Sequence, residues 1–231
     1  MSGNRCDYAR PRQTRIIKPT RRSNSGVFPF RSEMPIPYES SLERDFLIRA
    51  EHFNCVFEIV PQPVKIPFIG MDGRRYTYTP DFLVYYKLGN HSPLDPPKPL
   101  LVEVKPEEDW RRHWREWLPK WKAARRFASE RGWVFHINDE SRIRDKAFEN
   151  IQFLARYKRL EFAPEDIRAV LDSVREVGCP PIQYLLERHF MGAYRGVGIS
   201  MLWHMIATRL LECDISQPLS DLIEVWVSDD E

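Results

Sequence analysis

Four side chains carry the chemistry legible in this 231-residue sequence: Glu43, Asp81, Glu103 and Lys105. The apolar run Leu100-Leu101-Val102 predicts a short strand that closes on Glu103-Val104-Lys105. Side chains alternate across a strand, so Glu103 and Lys105 share one face. Asp81 follows Pro80 inside a second β-rich run, Tyr76 to Tyr86. If the two strands pair, two carboxylates and an ammonium converge. Adjacent carboxylates repel, and desolvation penalises their charged forms, so the cluster is costly unless a cation sits there. Mg²⁺ suits such a place because it takes hard oxygen ligands, keeps several waters and accepts phosphate oxygens; Mn²⁺ can stand in for it. An ammonium beside a scissile phosphate orients or helps deprotonate the attacking water and stabilises the negative charge that develops. Together these are the parts for phosphodiester hydrolysis.

Each residue also has a plainer reading. Ser40 and Glu43 fit a capping box, in which Glu43 is only the N3 partner of a helix start. A Pro-Asp pair commonly bounds a turn, and a lone Glu-x-Lys is mostly a solvated pair. The order of the pieces lifts the joint signal: a helical Glu, a strand with Pro-Asp, a strand closing on Glu-x-Lys, then a basic helix.

Several elements must position these residues. Leu42, Phe46, Ala50 and Phe53 follow helical spacing around Glu43. Val56 to Val60 and Val64 to Phe68 read as strands around Pro61-Gln62-Pro63, with a hairpin turn at Met71-Asp72-Gly73. Residues 87–99, with four prolines, form a loop. After Pro106 comes a helix in which Trp110, Trp114, Trp117 and Trp121 recur at helical spacing, with Pro119 expected to divide it. That stripe reads first as core packing, and the interleaved Arg111, Arg112, Arg115, Lys122, Arg125 and Arg126 as candidate DNA contacts. Gly132 to Ile137 is a further strand, and Ala147 to Tyr157 an amphipathic helix. The expected class is α/β. Beyond it, helices over 165–177, 182–190 and 200–212 and an apolar run Leu222 to Val227 suggest a small winged-helix-like module.

Composition sets the frame. With 42% apolar and 29% charged residues the chain has enough material for one large domain or two small ones. No apolar stretch of about 18 residues occurs, and residues 1–12 lack a signal-like apolar core. The expectation is a cytoplasmic protein with no membrane association, whose four cysteines, none in a CxxC pair, are reduced thiols. The net charge of +2 hides a division: residues 1–160 carry 30 Lys and Arg against 20 Asp and Glu, and residues 161–231 carry 5 against 13. A basic N-terminal portion favours a polyanion such as DNA, which the acidic remainder would repel. The expected organisation is a basic flexible arm over 1–32, a nuclease domain over 33–160 and a docking domain over 161–231.

Pro80-Asp81 followed by Glu103-Val104-Lys105 resembles the PD-(D/E)xK nuclease signature. Ser41-Leu42-Glu43, Pro61-Gln62-Pro63, Tyr78-Thr79-Pro80-Asp81-Phe82-Leu83-Val84, Val102-Glu103-Val104-Lys105-Pro106 and Asn150-Ile151-Gln152-Phe153-Leu154, in that order, are similar to the TnsA endonuclease subunit of heteromeric transposases. The resemblance spans about residues 35–160. It implies a restriction-endonuclease-like mixed sheet flanked by helices. Glu43, Asp81, Glu103 and Lys105 would be catalytic, with Mg²⁺ held by Asp81, Glu103 and the backbone of Val104. It further implies cleavage of the 5′ transposon ends in double-stranded DNA, a TnsB-type transposase for the 3′ ends and a TnsC-type ATPase as docking partner. The competing readings are a stand-alone restriction or repair nuclease, and a non-catalytic adaptor whose carboxylates are structural.

Overall fold

The computed structural model describes residues 11–14, 24–32, 34–89, 92 and 95–227. It divides into two compact units, Met1–Ile143 and Arg144–Glu231. In the first, a hairpin of β1 (Gly26–Phe30) and β2 (Met34–Tyr38) precedes α1 (Ser41–His52). Strands β3 (Val56–Pro61), β4 (Ile66–Ile69), β5 (Arg75–Tyr78), β6 (Phe82–Tyr86) and β7 (Leu100–Val104) follow, then α2 (Glu107–Ser129), β8 (Val134–Asn138) and the short α3 (Glu140–Ile143). The central sheet is mixed, in the order β3-β6-β7-β8, with only β7 and β8 parallel.

Both faces of this sheet are covered, which is why β6 and β7 read as nearly continuous apolar runs. Phe82, Val84, Val102 and Val104 join Leu42, Phe46 and Leu47 of α1 in one buried cluster. The alternate residues Leu83 and Leu101 join Trp121, Ala124 and Ala128 of α2 in a second. By the same alternation Glu103 turns toward α2, at the end of the strand where the apolar pattern stops.

Three expectations change in this unit. The run Tyr76 to Tyr86 is two strands: β5 pairs with β4 in a separate hairpin, β6 enters the central sheet, and Pro80-Asp81 marks the break between them. Helix α2 passes through Pro119 without dividing. An internal proline costs about 3 kcal/mol, and here Trp117 before it and Trp121, Ala124 and Ala128 after it pack into one apolar cluster. The stripe is indeed mostly core, with Trp121 buried, Trp110 and Trp117 partly so, and Trp114 exposed. The segment expected as a flexible arm is partly built in: Gly26–Phe30 is a strand, and Thr14 donates its N–H (3.0 Å) and Oγ1–H (2.9 Å) to the Gln62 carbonyl. The arm's Arg5, Arg10, Arg15, Lys18, Arg21 and Arg22 lie outside the described residues.

The border expected near residue 160 falls instead at 143/144, because α4 (Lys146–Leu154) packs with the second unit. Asp145 caps its start, and the Asn150 amide donates to the carbonyls of Ile215 (2.9 Å) and Gln217 (2.6 Å). Counted at the observed border, the charges are +7 for 1–143 and −5 for 144–231, so the division persists. Helices α5 (Pro164–Val177), α6 (Ile182–His189) and α7 (Arg195–Ala207) follow, with a two-residue ladder between β9 (Glu212–Cys213) and β10 (Val225–Trp226). Helix α7 starts five residues before its expected position, although Gly196 and Gly198 suggested a turn. A Cβ on Gly198 would lie 2.3 Å from Cγ of Phe190, so glycine is required there by close packing rather than by chain reversal. His204 is half-buried, with its Nδ1 at 2.9 Å from the Tyr157 carbonyl.

The two glycines should therefore respond oppositely to alanine. Gly198→Ala should lower stability by about 1–3 kcal/mol through overpacking, whereas Gly196→Ala, which meets open space, should raise it by about 0.5–1 kcal/mol. Denaturant unfolding checks both, and equal effects would contradict the packing described.

Candidate active site

The register of the central sheet brings the site residues together. Phe82 pairs with Pro61 on one side and with Val102 on the other. One step further along, Gln62, Asp81 and Glu103 line up at the sheet's end. There the Gln62 N–H donates to the Asp81 carbonyl (2.7 Å), and the Asp81 N–H donates to the Val102 carbonyl (3.0 Å). The Asp81 carboxylate accepts the Val104 N–H through Oδ2 at 2.7 Å. Lys105 follows directly, its N–H donating to the Asn138 carbonyl.

Glu103 is almost wholly buried, with 2% of its surface exposed. Its Oε2 accepts the Tyr78 hydroxyl at 2.6 Å, while Oε1 faces two ammonium groups, Lys120 at 3.4 Å and Lys105 at 3.7 Å. Burial is the largest influence holding the Asp81 carboxyl well above its usual range; Glu103 and Glu43 push the same way and Lys105 opposes them. For Lys105, burial works against the ammonium, but Asp81, Glu103 and Glu43 outweigh it and leave its pKa raised. The Tyr78 hydroxyl is pushed well up by burial and then by Glu103 and Asp81, so it is a donor to Glu103 and not an anion.

Glu43 caps the start of α1 and lies close to the carboxylate cluster. Its N–H donates to Oγ of the capping Ser40 (3.1 Å), and its carboxylate accepts the Ser40 hydroxyl (3.0 Å) and the Glu39 N–H (2.8 Å), one residue before the cap. It is also close enough to Lys105 and Asp81 to shift both. Burial raises its own pKa before those hydrogen bonds and Lys105 pull it back.

Two further side chains, Tyr78 and Lys120, were not singled out in the sequence. Tyr78 reads as an ordinary strand residue and Lys120 stands within the tryptophan stripe; both contact Glu103 only through tertiary packing. Gln62 is a third. It adopts a left-handed φ of 44°, is 4% exposed, and its Oε1 is buried with no hydrogen-bond partner among the described residues. Backbone strain and an unsatisfied buried acceptor both mark positions held for a reason other than stability.

No three His, Cys, Asp or Glu side chains form a metal-holding group among the described residues. The sheet's end offers instead a pair, Asp81 and Glu103, beside the backbone of Val104. That is how Mg²⁺ is ordinarily held: one or two carboxylates, with waters and substrate phosphates completing the octahedron. The upward push that Glu103 exerts on Asp81 is what a divalent cation would relieve, so these residues fit one.

Asp81→Asn tests the electrostatics. Asparagine keeps an acceptor for the Val104 N–H and removes one of the crowded charges. A raised native pKa means that the neutral carboxyl is favoured below the usual value of 3.8 and that this stability is lost as pH climbs through the raised value. The variant should thus match the parent in Tm near pH 4 and exceed it increasingly toward pH 8 in chelator. A lower Tm at pH 8 would contradict a charge-crowded Asp81.

Comparison with known proteins finds two family matches. The model for the TnsA-like endonuclease N-terminal domain matches residues 54–140, which include Asp81, Glu103 and Lys105 but begin after Glu43. The model for the TnsA endonuclease C-terminal domain matches residues 142–215, starting within two residues of the border between the two units. No curated protein matches the chain. An endonuclease family implies a divalent-metal requirement, with DNA and a transposase as partners. With both halves matched in order, over residues 54–140 and 142–215, the chain belongs to the TnsA-like endonucleases, the nuclease subunits of transposases.

Proposed function

We propose that this protein is a Mg²⁺-dependent DNA endonuclease that cuts the 5′ ends of a transposon in the bacterial cytoplasm while a TnsB-type transposase acts at the 3′ ends. The convergence of Asp81, Glu103 and Lys105 at the end of one sheet carries the reading. Asp81, Glu103 and the Val104 carbonyl would hold the cation, which when bound supplies Lewis-acid polarisation of the phosphate and of the attacking water. The Val104 N–H fixes one oxygen of Asp81 and leaves the other for binding. Tyr78 fixes Glu103 in the same way. Lys105 presents an ammonium that orients the water and offsets the charge growing on the phosphate. Glu43 adds its negative charge to those of Asp81 and Glu103 that favour the Lys105 ammonium.

The DNA path follows α2. Among its cations Arg111, Arg112 and Arg126 are engaged by Glu107, Glu108 and Glu130 one turn away. Lys122 and Arg125 make no ion pair among the described residues; with His136 and Arg142 they line a cavity of about 330 Å³ between α2 and β8. Unpaired cations above an apolar floor suit a phosphate backbone. The second unit is suited to protein docking with a TnsC-type ATPase. Trp203 is buried, Arg209 lies past the end of α7, and Met191, Tyr194, Val197 and Leu222 are exposed apolar residues.

Cleavage of the 5′ ends in a system reconstituted with the partner transposase tests this function. Lys105→Ala should lose at least about 100-fold in strand cutting while binding duplex DNA normally. Full activity in that variant would remove Lys105 from the mechanism. Lys122→Ala with Arg125→Ala should weaken duplex binding across sequences and reduce the salt slope by about 2. An unchanged slope would place the DNA elsewhere.

A further inference from the structure

The tryptophan stripe has a second use that core packing does not explain. It holds Lys120 in place. The Lys120 ammonium lies 4.5 Å from the centre of the Trp117 ring, 5.1 Å from that of Tyr78 and 5.8 Å from that of Trp121. Trp117 and Trp121 meet edge to face, so two walls of this cage are themselves locked. Aromatic faces attract a cation without neutralising it, which leaves the full positive charge available to an anion. That anion is Glu103 Oε1, at 3.4 Å. The other oxygen, Oε2, is taken by Tyr78, itself part of the cage.

Glu103 Oε1 is therefore the oxygen that both an ammonium and a divalent cation would seek. Lys120 has somewhere else to go. It lines a cavity of about 370 Å³ between the β4–β5 hairpin and α2, together with Phe68, Tyr76, Trp117 and Glu116. Glu116 stands four residues earlier on the exposed face of α2, the spacing at which Glu and Lys pair along a helix.

We propose that Lys120 is a positioning residue that acts as an exchangeable counter-ion of Glu103: cation binding takes Oε1 from Lys120, whose ammonium turns outward past Trp117 toward Glu116. Lys120 thus holds the buried carboxylate in register for the incoming cation and sets the concentration at which the cation binds. The inference rests on Asp81 and Glu103 being the cation site.

Calorimetric titration of Mn²⁺ into the full-length protein tests it, with parallel titrations of Lys120→Met, Lys120→Arg and Asp81→Ala. Methionine keeps an unbranched stem against the aromatic rings and drops the charge; arginine keeps the charge. Without the competing charge, Mn²⁺ should bind Lys120→Met on the order of tenfold more tightly, with Lys120→Arg near the parent. A purely structural role would make binding weaker, not stronger. Equal or weaker binding by Lys120→Met, with saturable parent binding that Asp81→Ala abolishes, overturns the exchange while leaving the cation site standing. Parent binding that survives Asp81→Ala, or none in the parent, overturns the site and the exchange with it.

Discussion

The structure depends on one unfavourable juxtaposition: two carboxylates, Asp81 and Glu103, held side by side where the sheet ends and the apolar core begins. In water each would cost nothing, but here burial and the neighbouring Glu103 penalise the charged form of Asp81. A fold tolerates this only if other groups are fixed to offset it. Nearly every polar contact around the site does so: the Val104 N–H and the Tyr78 hydroxyl each satisfy one oxygen, and Lys105 and Lys120 share a third. The fourth, on Asp81, accepts no hydrogen bond among the described residues. Such a cluster gives up stability for function, as is usual where a local rule is broken at a functional site.

The sheet achieves the juxtaposition by pairing antiparallel strands one residue short of the site. Because Phe82 faces Val102 and Pro61, the next residues along are brought level without regular ladder geometry to hold their side chains. Coverage on both faces then makes the position rigid. The α1 side buries Phe82 and Val104, the α2 side buries Leu83 and Leu101, and the alternation that sorts them sends Glu103 toward α2. The helix that closes the core is thus also the one that presents cations to Glu103 at one turn and to the solvent at the next.

How much of this was legible depended on range. The apolar strand ending in Glu103-Val104-Lys105, the capping box at Ser40 and Glu43, and the hairpin turn at Asp72-Gly73 are local patterns, and each appears in the structure. The misreadings came where a distant contact outweighed a local preference. Pro119 suggested a break that apolar packing on both its sides overrides. Gly198 suggested a turn, yet its lack of a side chain makes room for Phe190. Tyr78 and Lys120 lie 25 and 17 residues from Glu103, with no periodicity that links them to it. Gln62 was visible as a residue, while its left-handed backbone and unsatisfied oxygen belong to the fold alone.

The most direct test locates the cation. A crystal of the protein with a short DNA duplex, grown with Mn²⁺ and measured at a wavelength where manganese scatters anomalously, should show a peak between Asp81, Glu103 and a backbone phosphate. No peak between these carboxylates, or one only elsewhere on the protein, would contradict the assignment of this sheet end as the cleavage site.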